Sequence, residues 1–138
     1  MSFEVYLQSF HQGELGGVSS QRVRDVFGAH LRETEAEYWQ LAYDDVNTCD
    51  INLTVHPTDP GMVQELTVHR PCADERLWDA LASILALGDI VLYFPGGRAP
   101  LVARSSVIEH LPSAMVEALG QPFVVTSGRE ILHEIRAV

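Results

Sequence analysis

The sequence predicts one α+β domain spanning residues 1–138, a mainly antiparallel sheet of about five to seven strands with three to four helices packed on it. Three observations carry that expectation. Short segments alternate apolar and polar residues, the period of a half-buried strand, and others repeat at the helical period of about 3.6 residues. Strands come in blocks instead of alternating strictly with helices, which favours α+β over a doubly wound sheet. The 138 residues are 46% apolar and 20% charged, a length and composition suited to one ordered core without repeats, low-complexity tracts or a linker.

The elements follow in order. Phe3 to Phe10 places Phe3, Val5 and Leu7 on one face and Glu4, Tyr6 and Gln8 on the other, a strand. His11 to Gly17 is a loop. Ser19 or Ser20 caps a helix over Gln21 to about Leu31, with Val23, Val26, Phe27 and Leu31 on its apolar side. Three strands come next, Tyr38 to Tyr43, Cys49 to His56 and Met62 to His69. The polar turns Asp44–Asn47 and Pro57–Gly61 join them as an antiparallel meander.

The segment Ala73 to Gly88 is the strongest helix. Asp74 and Glu75 suit its N-terminal dipole, Leu77, Leu81, Ile84 and Leu85 form its core face, and Gly88 is expected in the left-handed position that ends it. Asp89 to Phe94 is an apolar, central strand; Pro95 to Ala99 turns the chain and Leu101 to Arg104 returns it. A short helix runs from Ser113 to Gly120, then a strand from Pro122 to Thr126. Ser127 and Glu130 have capping-box spacing and open a terminal helix with Ile131, Leu132 and Ile135 inward.

Charge narrows the range of partners. The chain has 19 Asp and Glu against 9 basic residues, a formal net charge of -10, and every basic residue is Arg. Such a field repels phosphate, so neither nucleic acid nor an anionic membrane surface is an expected partner. A basic protein is, because complementary fields speed encounter and exclude wrong partners. Met1 to Phe10 has neither the basic start nor the apolar run of a signal peptide, and Leu77 to Leu87, the longest mostly apolar stretch, is too short to span a bilayer. A cytoplasmic location with Cys49 and Cys72 reduced is the expectation.

The motifs for chemistry are thin, and no cofactor or metal is expected. The loop Pro95-Gly-Gly-Arg98 follows a strand but lacks the spacing of a phosphate-binding loop and suits a β-turn. Cys49, His56, His69 and Cys72 are soft ligands, yet Cys49 and His56 fall on opposite faces of one strand, which opposes a zinc site. Cys72 at a helix start with His69 three residues before it is the one arrangement that could act as a nucleophile and base, without any surrounding signature. The adjacent Asp44 and Asp45 lie in a solvated turn, which does not separate two pKa values as acid–base catalysis requires.

The more informative feature is the segment Glu33 to Asp50. It holds six carboxylates (Glu33, Glu35, Glu37, Asp44, Asp45, Asp50), and no Arg occurs between Glu33 and Arg70. Tyr38, Trp39 and Tyr43 are interleaved, with Tyr38 on one strand face and Trp39 and Tyr43 on the other, so one set is core and one is open. Aromatics among acids suit a hot spot for a basic partner.

In size, acidity and α+β character the chain resembles bacterial immunity proteins that neutralise toxins, and also the acidic chaperones of type III secretion. The first resemblance implies a non-enzymatic inhibitor that masks a basic protein surface, possible partners including a toxin. The second implies a chaperone or homodimeric adaptor holding an unfolded segment. An enzyme using Cys72 and His69 is the third reading.

Overall fold

The computed structural model describes residues 3–96 and 99–136. Gly97 and Arg98, the middle of the turn expected at Pro95 to Ala99, lie outside the described residues, as do Met1 and Ser2. The class is mixed α+β, built on one sheet of ten strands, more than the five to seven expected.

The chain begins with β1 (Glu4–His11), β2 (Glu14–Leu15) and β3 (Val18–Ser19), then α1 (Ser20–Phe27), β4 (Leu31–Glu35), β5 (Tyr38–Ala42), β6 (Thr48–His56) and β7 (Asp59–His69). It continues through α2 (Glu75–Leu85), β8 (Ile90–Tyr93), β9 (Leu101–Val102), a 3-10 helix (Ser105–His110), α3 (Ser113–Leu119), β10 (Phe123–Val124) and α4 (Gly128–Arg136). The strand order is β10-β9-β8-β1-β7-β6-β5-β4, with β2 paired to β1 and β3 to β7. Every pairing is antiparallel except that of β10 with β9.

Three strands are additional to those expected: β2 falls within the expected loop His11 to Gly17, β3 on the residues expected to cap the helix, and β4 begins at Leu31, the expected helix end. Gln12 and Gly13 both take positive φ, 49° and 84°, the signature of a two-residue hairpin that returns β1 as β2. Gly28, at φ 62°, stops α1 at Phe27, four residues before the expected end, and frees Leu31 to begin β4. At the other helix end Ser19 Oγ accepts the Arg22 N–H at 3.3 Å, the expected cap.

α2 is capped by Asp74, whose carboxylate accepts the Arg76 N–H at 2.9 Å. The side-chain and backbone hydrogen bonds from Arg76 hold the Asp74 carboxyl well down, at about 2. Gly88 is not the helix terminator: the cap is Ala86 in right-handed geometry, and Gly88 is not among the positive-φ glycines. In α4 the capping box is offset. Ser127 Oγ accepts the Glu130 N–H at 3.2 Å, but the Glu130 carboxylate returns to the Thr126 N–H and hydroxyl at 3.3 and 2.8 Å.

Alternation then assigns the two faces of the sheet. Val5, Leu7, Leu66, Val68, Ile51, Leu53, Trp39, Leu41 and Leu92 point to one side, where α1, α2 and α4 bury them with Val23, Phe27, Leu77, Leu81, Ile84, Leu85 and Ile131. Among the described residues the other side is covered only at its β8–β9 end. There Phe10, Val91 and Val102 pack beneath Val107 and Leu111, with Met115 and Val116 of α3 beside them. β8 is therefore buried on both faces, as its unbroken apolar run predicts. No helix among the described residues is long and apolar enough to cross a membrane.

Candidate partner-binding face

The uncovered side of the sheet is a regular grid, because one register runs across six strands. One row runs Tyr93, Tyr6, Thr67, Asn52, Tyr38 and Glu35; the next runs Glu4, His69, Asp50, Gln40 and Arg32. A third carries Gln8, Glu65 and Thr54. All of these side chains are half-buried or exposed. Four carboxylates, Glu4, Glu65, Asp50 and Glu35, face one Arg and one His, so the face is net acidic.

Hydrogen bonds fix its side chains. The Tyr93 hydroxyl donates to Gln8 Oε1 at 3.0 Å, and Gln8 Nε2 donates to Glu65 Oε2 at 3.1 Å. Tyr6 and Tyr93 stack with ring centroids 5.2 Å apart. At the other end the Tyr38 hydroxyl donates to Asp50 Oδ1 at 2.6 Å. That bond to a carboxylate raises the Tyr38 pKa above the ordinary phenol range, while burial is the main cause of the rise at Tyr93. Both phenols stay protonated at neutral pH and remain donors.

The residues expected from the sequence divide sharply here. Tyr38 lies on the open face, with Asp50 beside it. Trp39 and Tyr43 lie on the core side, fully buried and 9% exposed, and do not reach the surface; they support the site from beneath. Nor are the carboxylates as isolated in space as along the chain. Arg24 of α1 meets Glu33 at 2.7 Å and holds its guanidinium over the Trp39 ring. Arg70 lies 4.0 Å from Asp50, and Arg76 4.0 Å from Asp44. Asp44 is also occupied within its own turn. Its carboxylate accepts from the Asn47 side chain and from the backbone N–H of Asn47 and Val46, which lower its pKa in that order. Glu35, Glu37 and Asp45 are exposed and form no ion pair among the described residues.

His69 and Cys72 are not brought together. His69 sits on the open face 3.8 Å from Glu4, whereas Cys72 packs against the core on the helix side. His56 is held in the β6–β7 turn, its Nδ1 accepting the Thr58 N–H at 3.2 Å, away from both cysteines. The grouping that spacing could not disclose is His11, Asp89 and His110, whose ligand atoms lie within 4.8 Å of one another. They come from the end of β1, the loop before β8 and the 3-10 helix. His110 Nδ1 accepts the Gln12 N–H at 3.2 Å, so Nε2 carries the ring proton and points to Asp89 at 3.6 Å. A ring in that tautomer has no lone pair for a cation at Nε2. Arg104 also lies 3.4 Å from Asp89. His11 and His110 stack with ring centroids 5.3 Å apart, so the trio packs three segments against one another.

No family model matches the chain, and comparison with curated proteins and with solved structures finds no match.

Proposed function

We propose that the chain is a non-enzymatic binding protein that masks a basic protein surface, in the manner of an immunity or inhibitor protein. The observation that supports this most is the edge formed by β4, β5 and the Asp44–Asn47 turn. There Glu35, Glu37 and Asp45 are exposed without cationic partners among the described residues, and Tyr38 stands beside them on the open sheet face. Carboxylates steer a cationic partner and occupy its anion-binding groups, and a fixed phenol adds apolar area at low entropic cost. Glu33, Asp44 and Asp50, already engaged with Arg24, Asn47 and Tyr38, contribute field more than contact.

The test is capture of a partner from the source cell at low and high salt, with wild type and with Glu35→Lys/Glu37→Lys. One partner retained by wild type, released by salt and lost by the variant is the expected result. Capture that ignores both salt and charge reversal would sink the reading.

A dimeric adaptor or secretion chaperone is the second reading, favoured by the opposite edge of the sheet. β10 ends the sheet there with Phe123 and Val124 48% and 46% exposed, an apolar edge that invites pairing. Light scattering separates the two. A dimer converted to monomer by Phe123→Lys supports the adaptor, and a monomeric wild type removes it.

A further inference from the structure

We propose that the cleft between α2 and α4 binds a short peptide with free ends, a small molecule that carries an ammonium and a carboxylate together. The two helices touch where α4 begins. Gly128 lies against the backbone of Trp78 and Asp79, where a Cβ would approach to 2.5 Å. Beyond that contact a cleft of about 780 Å³ opens between the N-terminal half of α2 and the adjoining face of α4. Sites for small ligands span roughly 300–1,000 Å³.

The charges around the cleft are sorted by sign. Glu75 and Asp79, one turn apart on α2, line one wall. Arg129, His133 and Arg136, which follow one face of α4, line the other. Each helix turns its remaining charges elsewhere. Arg76 pairs with Asp74, the Glu130 carboxylate folds back onto Thr126, and neither Glu130 nor Glu134 lines the cleft. The helix dipole accounts for bases in the last turn of α4 but opposes Arg129 in its first. Among the described residues no ion pair joins the two walls, and neither Arg129 nor Arg136 has a carboxylate partner.

A field therefore runs across the cleft from α4 to α2. A simple ion would satisfy one wall and be repelled by the other; a molecule with both charges satisfies both. The guanidinium forks take a carboxylate in paired hydrogen bonds, and the carboxylates accept the N–H groups of an ammonium. Ala73, Trp78 and Leu132 supply apolar surface between the walls for the ligand's side chains. One amino acid fills only part of the space, so a di- or tripeptide is the better fit. The cleft shares no residue with the β4–β5 edge, so this site and the masking of a basic protein fail separately.

The isotope-labelled full chain is titrated with leucyl-leucine, with its N-acetyl and C-amide forms, and with leucine alone. Amide shifts confined to the start of α2 and to α4, with a dissociation constant of about 1 mM or tighter, are expected for the free dipeptide. Capping either end should weaken binding about fivefold. Arg129→Gln/Arg136→Gln should remove the discrimination against the C-amide form alone, and Glu75→Gln/Asp79→Asn that against the N-acetyl form alone. All four side chains are exposed, so both variants should melt with wild type. Absence of saturable shifts at about 10 mM dipeptide, equal binding of free and capped forms, shifts centred elsewhere, or tighter binding of leucine than of the dipeptide overturns the proposal.

Discussion

Replacing Gly128 with alanine is expected to lower stability by about 3 kcal/mol, or to undock α4 altogether, because a single methyl group would be driven into the backbone of α2. A Cβ at this position would lie 2.5 Å from both the Asp79 nitrogen and the Trp78 carbonyl carbon, and 2.6 Å from Asp79 Oδ1. The side-chain oxygen can swing aside. The two backbone atoms belong to a helix whose opposite face is locked by Leu77, Leu81, Ile84 and Leu85, so they cannot. α4 must therefore move, and Ile131, fully buried, leaves the core with it. Gly13→Ala provides the contrast. It takes φ 84° but has open space around its would-be Cβ, so its cost is conformational alone, about 1 kcal/mol. Denaturant melts of both variants, with amide exchange along 128–136, check the ordering. Equal midpoints for the two alanine variants would mean the α2–α4 contact is soft.

Trp39→Ala should cost about 4 kcal/mol, the largest loss from any truncation in the β4–β7 half. The indole is fully buried between the sheet and α1, and Arg24 roofs it with its guanidinium carbon 5.1 Å from the ring centroid. That guanidinium is pinned in turn by Glu33 and by Ser20 Oγ at 2.8 Å, so removing the ring unseats an ion pair as well as opening a cavity. Trp39→Phe should cost far less, about 1 kcal/mol, because the indole N–H is buried without an acceptor and phenylalanine removes that unsatisfied donor while keeping most of the ring. Chemical denaturation of the pair measures the difference. Partner capture by Trp39→Phe should match wild type, since the side chain works from inside; loss of capture in a folded Trp39→Phe would put Trp39 in the interface after all.

What the sequence disclosed follows how strongly each segment commits to one face. β1, β6 and β7 alternate over eight or more residues with one side buried, and α2 carries apolar residues at every core-facing turn, so periodicity finds them. β4 reads Leu-Arg-Glu-Thr-Glu and buries only part of Leu31; an edge strand with no apolar side has no period to detect. β2 and β3 have two residues each, and the hairpin turn between β1 and β2 uses Gln12, not a usual residue, at its first positive φ. The candidate face was half legible. Parity separated Tyr38 from Trp39 and Tyr43 correctly but could not say which set the helices would cover. Nor could the sequence foresee that Arg24, Arg70 and Arg76 would reach Glu33, Asp50 and Asp44, because charge isolation along a chain is not isolation in space.

The place of β1 in the strand order governs how this molecule can assemble. β4 to β7 are joined by short turns and can zip as successive hairpins on a microsecond scale. β1 cannot join anything so local: its Gln8 reaches Glu65 across 57 residues and Tyr93 across 85. The strand at the middle of the sheet is thus synthesised before the strands that flank it, and is among the last to find its neighbours. Until then β7 and β8 each present an unpaired apolar edge. Loop-closure entropy makes that docking slow, and it is the step at which two nascent chains could exchange their β1 strands. The β2 hairpin, formed from the adjacent residues, gives the waiting strand a local partner at its far end.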